Sequence, residues 1–145
     1  MRTIKFRGRR IDNNEWVYGY LYRLQLTNGE ACVILTQDNN HLDNSLKPKY
    51  HLAFTLWVDL FIVDTITVGQ FTGLYDKNGK EIYEGDIVKR TDGYSYIVKY
   101  EFGSFYTRLI GGDKEDVYRL ALFNNKTVIV GNIHDNPDLM KGEQQ

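Results

Sequence analysis

The sequence predicts a mainly β protein, and three observations carry that prediction. Apolar and polar side chains alternate with a period of two through most of the chain, while no long window carries a helical period. Aromatic residues make up 14% of the 145, and eleven of them are tyrosine, whose ring suits a half-buried sheet face while its hydroxyl stays wet. Thirteen glycines stand against two prolines, so reversals are built by Gly and Asn. Composition also sets limits. A net charge of −1 excludes a wholly basic nucleic-acid wrapper, and the single cysteine, Cys32, excludes an internal disulfide and a Cys-based metal site. No apolar run reaches the roughly 18 residues of a membrane-spanning helix. The first ten residues lack the apolar stretch of a signal peptide, so a soluble cytoplasmic protein is expected.

Taken in order, residues 2–9 place Ile4 and Phe6 on one face and Thr3, Lys5, Arg7 and Arg9 on the other. Asp12-Asn13-Asn14 reads as a turn. Trp16, Tyr18, Tyr20 and Tyr22 then alternate with Val17, Gly19 and Leu21, a strand apolar on both faces and aromatic on one. Asn28-Gly29 lies between two apolar runs and predicts a hairpin with a type I′ turn, since both residues accept positive φ. Residues 37–50 predict a long exposed loop, and residues 52–63 a buried strand or two. From Val68 the strands shorten. Turns are expected at Asp76–Gly79, Asp92-Gly93 and Gly103, with strands at 87–89, 94–100, 105–110 and 127–130. Residues 117–123 fit either a strand or a short helix. The expected core comprises Ile4, Phe6, Val17, Leu21, Val33, Leu35, Ile87, Val88, Ile97, Val98, Val128 and Val130.

One segment carries a resemblance. Val68-Gly-Gln-Phe-Thr-Gly-Leu-Tyr-Asp-Lys-Asn-Gly-Lys-Glu-Ile-Tyr-Glu-Gly-Asp-Ile-Val-Lys89 resembles the central signature of the YopX family of bacteriophage and prophage proteins. Ile4 to Arg10 with Glu15 to Leu21 is similar to that family's start, and Val130 to Leu139 to its end. The resemblance implies a small, mainly β protein with a highly twisted antiparallel sheet and an SH3-like barrel in its C-terminal half. It also implies a phage or prophage origin. The family is one of unknown function, so the resemblance supplies no catalytic residue. The expected organisation is an N-terminal β-meander lobe at 1–67, an SH3-like lobe with the family signature at 68–135, and a C-terminal tail at 136–145.

Each candidate functional residue also fits a plainer role. Glu81, Glu84 and Asp86 place three carboxylates within six residues, but no partner motif supplies the converging oxygen ligands of a metal site. A turn in which Asp86 accepts nearby backbone amides is the better reading. His41, His51 and His134 are scattered, and Cys32 reads as a small buried hydrophobe. No metal, cofactor or catalytic group is expected. Arg2, Lys5, Arg7, Arg9 and Arg10 bring five cations together near the aromatic run Trp16, Tyr18, Tyr20. Cations beside flat rings are what a single-stranded nucleic acid needs. The near-zero net charge favours instead a solvated strand face with an aromatic core or subunit contact. The expected function is therefore a non-enzymatic phage accessory protein that binds protein or itself. The alternative is a nucleic-acid-binding module built on those cations and rings.

Overall fold

The computed structural model describes residues 3–37, 58–112 and 116–141. Ten strands account for most of them, joined by tight turns and three short 3₁₀ turns. The chain divides into two compact units, Ile4–Gly69 and a second formed from Gln70 onward.

In the first unit, β1 (Phe6–Arg10), β2 (Trp16–Leu26), β3 (Gly29–Gln37) and β4 (Val58–Tyr75) are hydrogen-bonded antiparallel neighbours in chain order. Strand β1 also pairs with β4, so the expected twisted meander closes into a four-stranded barrel. Closure removes both sheet edges. Phe6, Val17 and Leu21 point inward as the alternation predicts and pack with buried Cys32, Ile34 and Val63, so the inward positions of β3 are Cys32 and Ile34 and not the expected Val33 and Leu35. Two pairs of strands approach unusually closely, β2 with β3 and β1 with β4. A Cβ on Gly19 would lie 2.1 Å from the Leu35 carbonyl oxygen, and one on Gly8 would lie 2.9 Å from a Val63 methyl. A barrel this narrow needs missing side chains where its strands cross.

The β2–β3 hairpin forms, but not on the expected turn. Leu26 pairs with Gly29, so Thr27 and Asn28 make the loop, and Asn28 does not take positive φ. This register sets Leu21 opposite Ile34, both facing inward. An Asn28-Gly29 loop would slide Arg23 opposite Ile34 instead, so core pairing outweighs the turn preference. The predicted loop 37–50 and residues 52–57 of the predicted buried strand lie outside the described residues, apart from Gln37 at the end of β3, as do His41 and His51. Strand β4 continues without a break from Val58 to Tyr75, where a series of shorter strands was expected.

In the second unit, β4 pairs with β5 (Glu81–Tyr83) at Phe71↔Tyr83 and Tyr75↔Glu81. A separate sheet has the order β10–β6–β7–β8–β9, with β6 at Asp86–Arg90, β7 at Ser95–Glu101, β8 at Ser104–Leu109, β9 at Val117–Arg119 and β10 at Thr127–Asn132. Its core gathers Ile82, Val88, Tyr96, Val98, Phe105 and Leu120, with Leu74, Leu109 and Ile129 against them. Residues 117–123 prove to be both predicted forms, a short strand followed by a 3₁₀ turn at Leu120–Leu122.

Two polar side chains organise the turns of the family-like segment. Buried Asp76 accepts the N–H of Asn78 (2.8 Å) and Lys80 (3.0 Å) on Oδ1 and that of Ile129 (3.1 Å) on Oδ2, tying its turn to β10. Asp86, also buried, accepts the Tyr83 N–H at 2.8 Å, the role the sequence predicts for it. Asn132 plays the same part at the chain's end, accepting the N–H groups of His134 (3.0 Å) and Asp135 (2.9 Å).

The expected core needs three corrections. Leu35 lies on the outer side of β3, opposite exposed Tyr20, because the inward positions of that strand are Cys32 and Ile34. Ile4 is 56% exposed because it precedes β1 and has no facing strand, and Val130 is 42% exposed on the outer side of β10. Ile34, Ile82, Tyr96, Phe105 and Leu120 are buried without having been expected. Long-range pairing, not local pattern, places them there.

The β7–β8 hairpin turns on Phe102-Gly103, closed by Glu101↔Ser104. Both turn residues have positive φ, 50° and 75°, the pattern of a type I′ turn. Phe102 is 90% exposed, its ring meeting only the edge of Tyr106 at 6.3 Å among the described ring contacts. A bulky side chain in left-handed backbone is strained, and Asn is tolerated there. Phe102→Asn is therefore expected to stabilise the protein by about 0.5–1 kcal/mol in urea denaturation. An unchanged or lowered stability would mean that the exposed ring contributes more than its backbone strain removes.

Candidate protein-binding face

The pleat of the first unit sorts side chains into two sets. Inward go Val17, Gly19 and Leu21; outward go Tyr18, Tyr20, Tyr22 and Leu24 of β2. Register then carries the outward set across the barrel. Tyr20 faces Leu35 and Tyr22 faces Val33 on β3, and these in turn face Leu60 and Ile62 on β4. Tyr18, Tyr20 and Tyr22 are 48%, 58% and 58% exposed, and Leu60 and Ile62 are 41% and 47% exposed. Val33, beneath them, is buried. The result is one uncharged face of tyrosine rings and aliphatic chains on three adjacent strands. Singly exposed apolar residues are ordinary, whereas a contiguous face of this kind marks an interaction surface.

The basic residues of β1 border this face at one side. Arg7 pairs with Tyr18 and Arg9 with Trp16. Both guanidinium groups lie on the Trp16 ring, at 4.9 Å and 5.3 Å from its centroid, and Arg7 is 6% exposed. Cation–π contacts of this kind hold the ring and the cations together. Arg10 points elsewhere: it lies over the Phe61 ring at 4.3 Å and donates to Asp12 from Nε and Nη2 at 2.8 and 2.5 Å. That hydrogen bond holds the Asp12 carboxyl below its ordinary value. Lys5 is half-buried ahead of β1, and Arg2 lies outside the described residues. So the structure joins Arg7, Arg9 and Trp16 in one stack, puts Tyr18 and Tyr20 on the open face, and sets Arg10 apart.

Among the described residues no three His, Cys, Asp or Glu side chains gather as metal ligands would, and no helix is long and apolar enough to cross a membrane. Tyr83 donates its hydroxyl to Glu81 at 2.8 Å, so part of the acidic segment serves the turn itself. The aromatic half of the face was legible from the alternation of residues 16–22. Leu60 and Ile62 were not, because their place depends on which strand β3 pairs with next.

Comparison with known proteins supports the fold. No curated protein matches the chain. The crystal structure of protein EF1440 from Enterococcus faecalis is similar over 97% of this chain and 99% of that one, with 21% identity and a TM-score of 0.51. The family model described as YopX protein matches residues 5–141, nearly the full length. The chain belongs to the YopX family.

Proposed function

We propose that this protein is a phage or prophage accessory protein of the bacterial host cytoplasm that acts by binding rather than catalysis, and that it self-associates through the outer face of β2–β4. The uncharged face of Tyr18, Tyr20, Tyr22, Leu24, Leu60 and Ile62 is the observation that carries this reading. A patch without charge is complementary to itself, which suits the isologous contact of a two-fold dimer. Tyrosine is favoured in such contacts because it buries a large ring at little entropic cost.

We also read the second unit's sheet as SH3-like. Support comes from the last strand, β10, lying beside the first, β6, and from the 3₁₀ turns that precede β10.

Light scattering after size exclusion tests the self-association. The native chain is expected as a dimer at micromolar concentration, and Tyr20→Glu combined with Ile62→Glu as a folded monomer. A native chain that stays monomeric up to millimolar concentration would refute the proposal.

A further inference from the structure

A second feature lies wholly within the unit formed from Gln70 onward. Across the paired strands β6 and β10 is a cleft of about 310 Å³ lined by Lys77, Lys89, Arg90, Thr91, Lys126, Val128 and Val130. Four of those seven residues are cationic and none is acidic, while the surface they present to the cleft itself is mostly carbon. Three separate segments deliver them, each fixed by backbone hydrogen bonding. The Lys77 N–H donates to the Thr127 carbonyl at 3.0 Å, and the Thr91 N–H to the Lys126 carbonyl at 3.2 Å. Lys89 on β6 lies directly opposite Val128 on β10.

The cations are held in different ways. Arg90 is clamped: its guanidinium lies over Phe123 at 4.2 Å, Tyr96 at 5.1 Å and Tyr118 at 5.4 Å, and pairs with Asp92 at 3.3 Å. No ion pair among the described residues engages Lys77, Lys89 or Lys126. Like charges gathered on one cleft repel one another, a cost that a bound anion relieves. A cleft in the first unit sets Glu30 and Asp64 beside Arg10, so charges of both signs meet there. In the β10 cleft they do not, although the whole chain carries a net −1. Val128 and Val130 give the cleft an apolar floor, as ligand sites of this size have. Val130, expected in the core, is exposed at this place.

We infer that this cleft binds a phosphate ester, with Lys77, Lys89 and Lys126 around the phosphate and the organic part of the ligand resting on Val128 and Val130. The site and the tyrosine face belong to different units, and neither proposal depends on the other. A free nucleotide and a nucleic-acid strand share this chemistry, and the test distinguishes them.

Amide chemical shifts of the ¹⁵N-labelled full chain would be followed while adding inorganic phosphate, thymidine monophosphate or a ten-nucleotide oligothymidylate, with sodium chloride at matched ionic strength as control. Saturable shifts are expected at residues 77, 89–91 and 126–130 with the phosphate probes and not with chloride. Oligonucleotide binding clearly tighter than that of the monophosphate points to a nucleic-acid strand, and equal affinities point to a small phosphate ester; both outcomes support the site. For the strand, the log–log salt slope should be about −2 to −3, as expected when three or four cations neutralise phosphates. Lys77→Gln, Lys89→Gln and Lys126→Gln together should weaken binding by at least about tenfold and flatten that slope by about 2. The single variant Lys89→Gln serves if the triple variant does not fold. Shifts no greater than those from chloride, shifts confined to other residues, or affinity unchanged in the lysine variants would overturn the inference.

Discussion

Replacing Asp76 with Ala is expected to destabilise the protein by about 3 kcal/mol, because it removes the acceptor of three backbone N–H groups at once. Two of those donors sit in the turn, where water can reach them. The third, on Ile129, belongs to β10 and is half-buried. Loss of that bond loosens the tie between the turn and the strand. The carboxylate also makes stability depend on pH. Burial alone would raise its pKa, but the N–H groups of Lys80, Ile129 and Asn78 outweigh burial and hold it below the ordinary 3.8. A depressed folded-state pKa means a contribution that is complete above the unfolded value and is lost as pH falls through the lower, folded one. Urea denaturation between pH 5 and 2 should therefore show stability falling in the acid range. Asp76→Asn should fall less steeply, since its amide keeps an acceptor but cannot titrate. It should not abolish the slope, because Glu101 is likewise held low, by its hydrogen bonds from Arg108. Equal acid slopes in the native chain and Asp76→Asn would refute the assignment.

Gly19→Ala should be comparably damaging, by about 3 kcal/mol, although the added group is one methyl. The new Cβ would stand 2.1 Å from the Leu35 carbonyl oxygen, a backbone atom that moves only if β2 and β3 part. Gly8→Ala is the informative contrast. Its nearest obstacles are side-chain carbons of Val63 and Ile34 at 2.9–3.1 Å, of which the Val63 and Ile34 methyls can shift by rotation. Its cost should be nearer 1 kcal/mol. Thermal and urea denaturation of the two variants would reveal the difference. Near-native stability of Gly19→Ala would mean that the barrel does not pinch at this point.

Much of the strand pattern was readable because alternation is local. Trp16, Tyr18, Tyr20 and Tyr22 fall on one face and Val17, Gly19 and Leu21 on the other wherever the strand lies. Cys32 is 5% exposed, as its reading as a small buried hydrophobe expects, but alternation had chosen the other face of its strand, Val33 and Leu35, as the inward one. The turn at Asp76–Gly79 was equally plain, since Asp and Gly have stereochemical reasons to be there. The hairpin register was not. Asn28-Gly29 is the stronger turn dipeptide, yet Leu21 against Ile34 decided the alignment, and that contact exists only once the strands meet. Phe102 escaped notice for a related reason. Nothing in its sequence neighbourhood demands a strained exposed ring, and only the closed hairpin forces positive φ on it.

By its own order of residues the chain determined that it would form strands, which side of most would avoid water, and where most reversals fall, because these follow from steric preference and a two-residue repeat; β3, apolar on both sides, left its inward face open. Tertiary structure alone decided that β1 returns to β4, that Leu60 and Ile62 extend the tyrosine face, and that Lys77, Lys89 and Lys126 share one cleft. Those pairings join positions far apart in the chain. They are selected by the free energy of the assembled sheets, to which no short stretch of sequence has access.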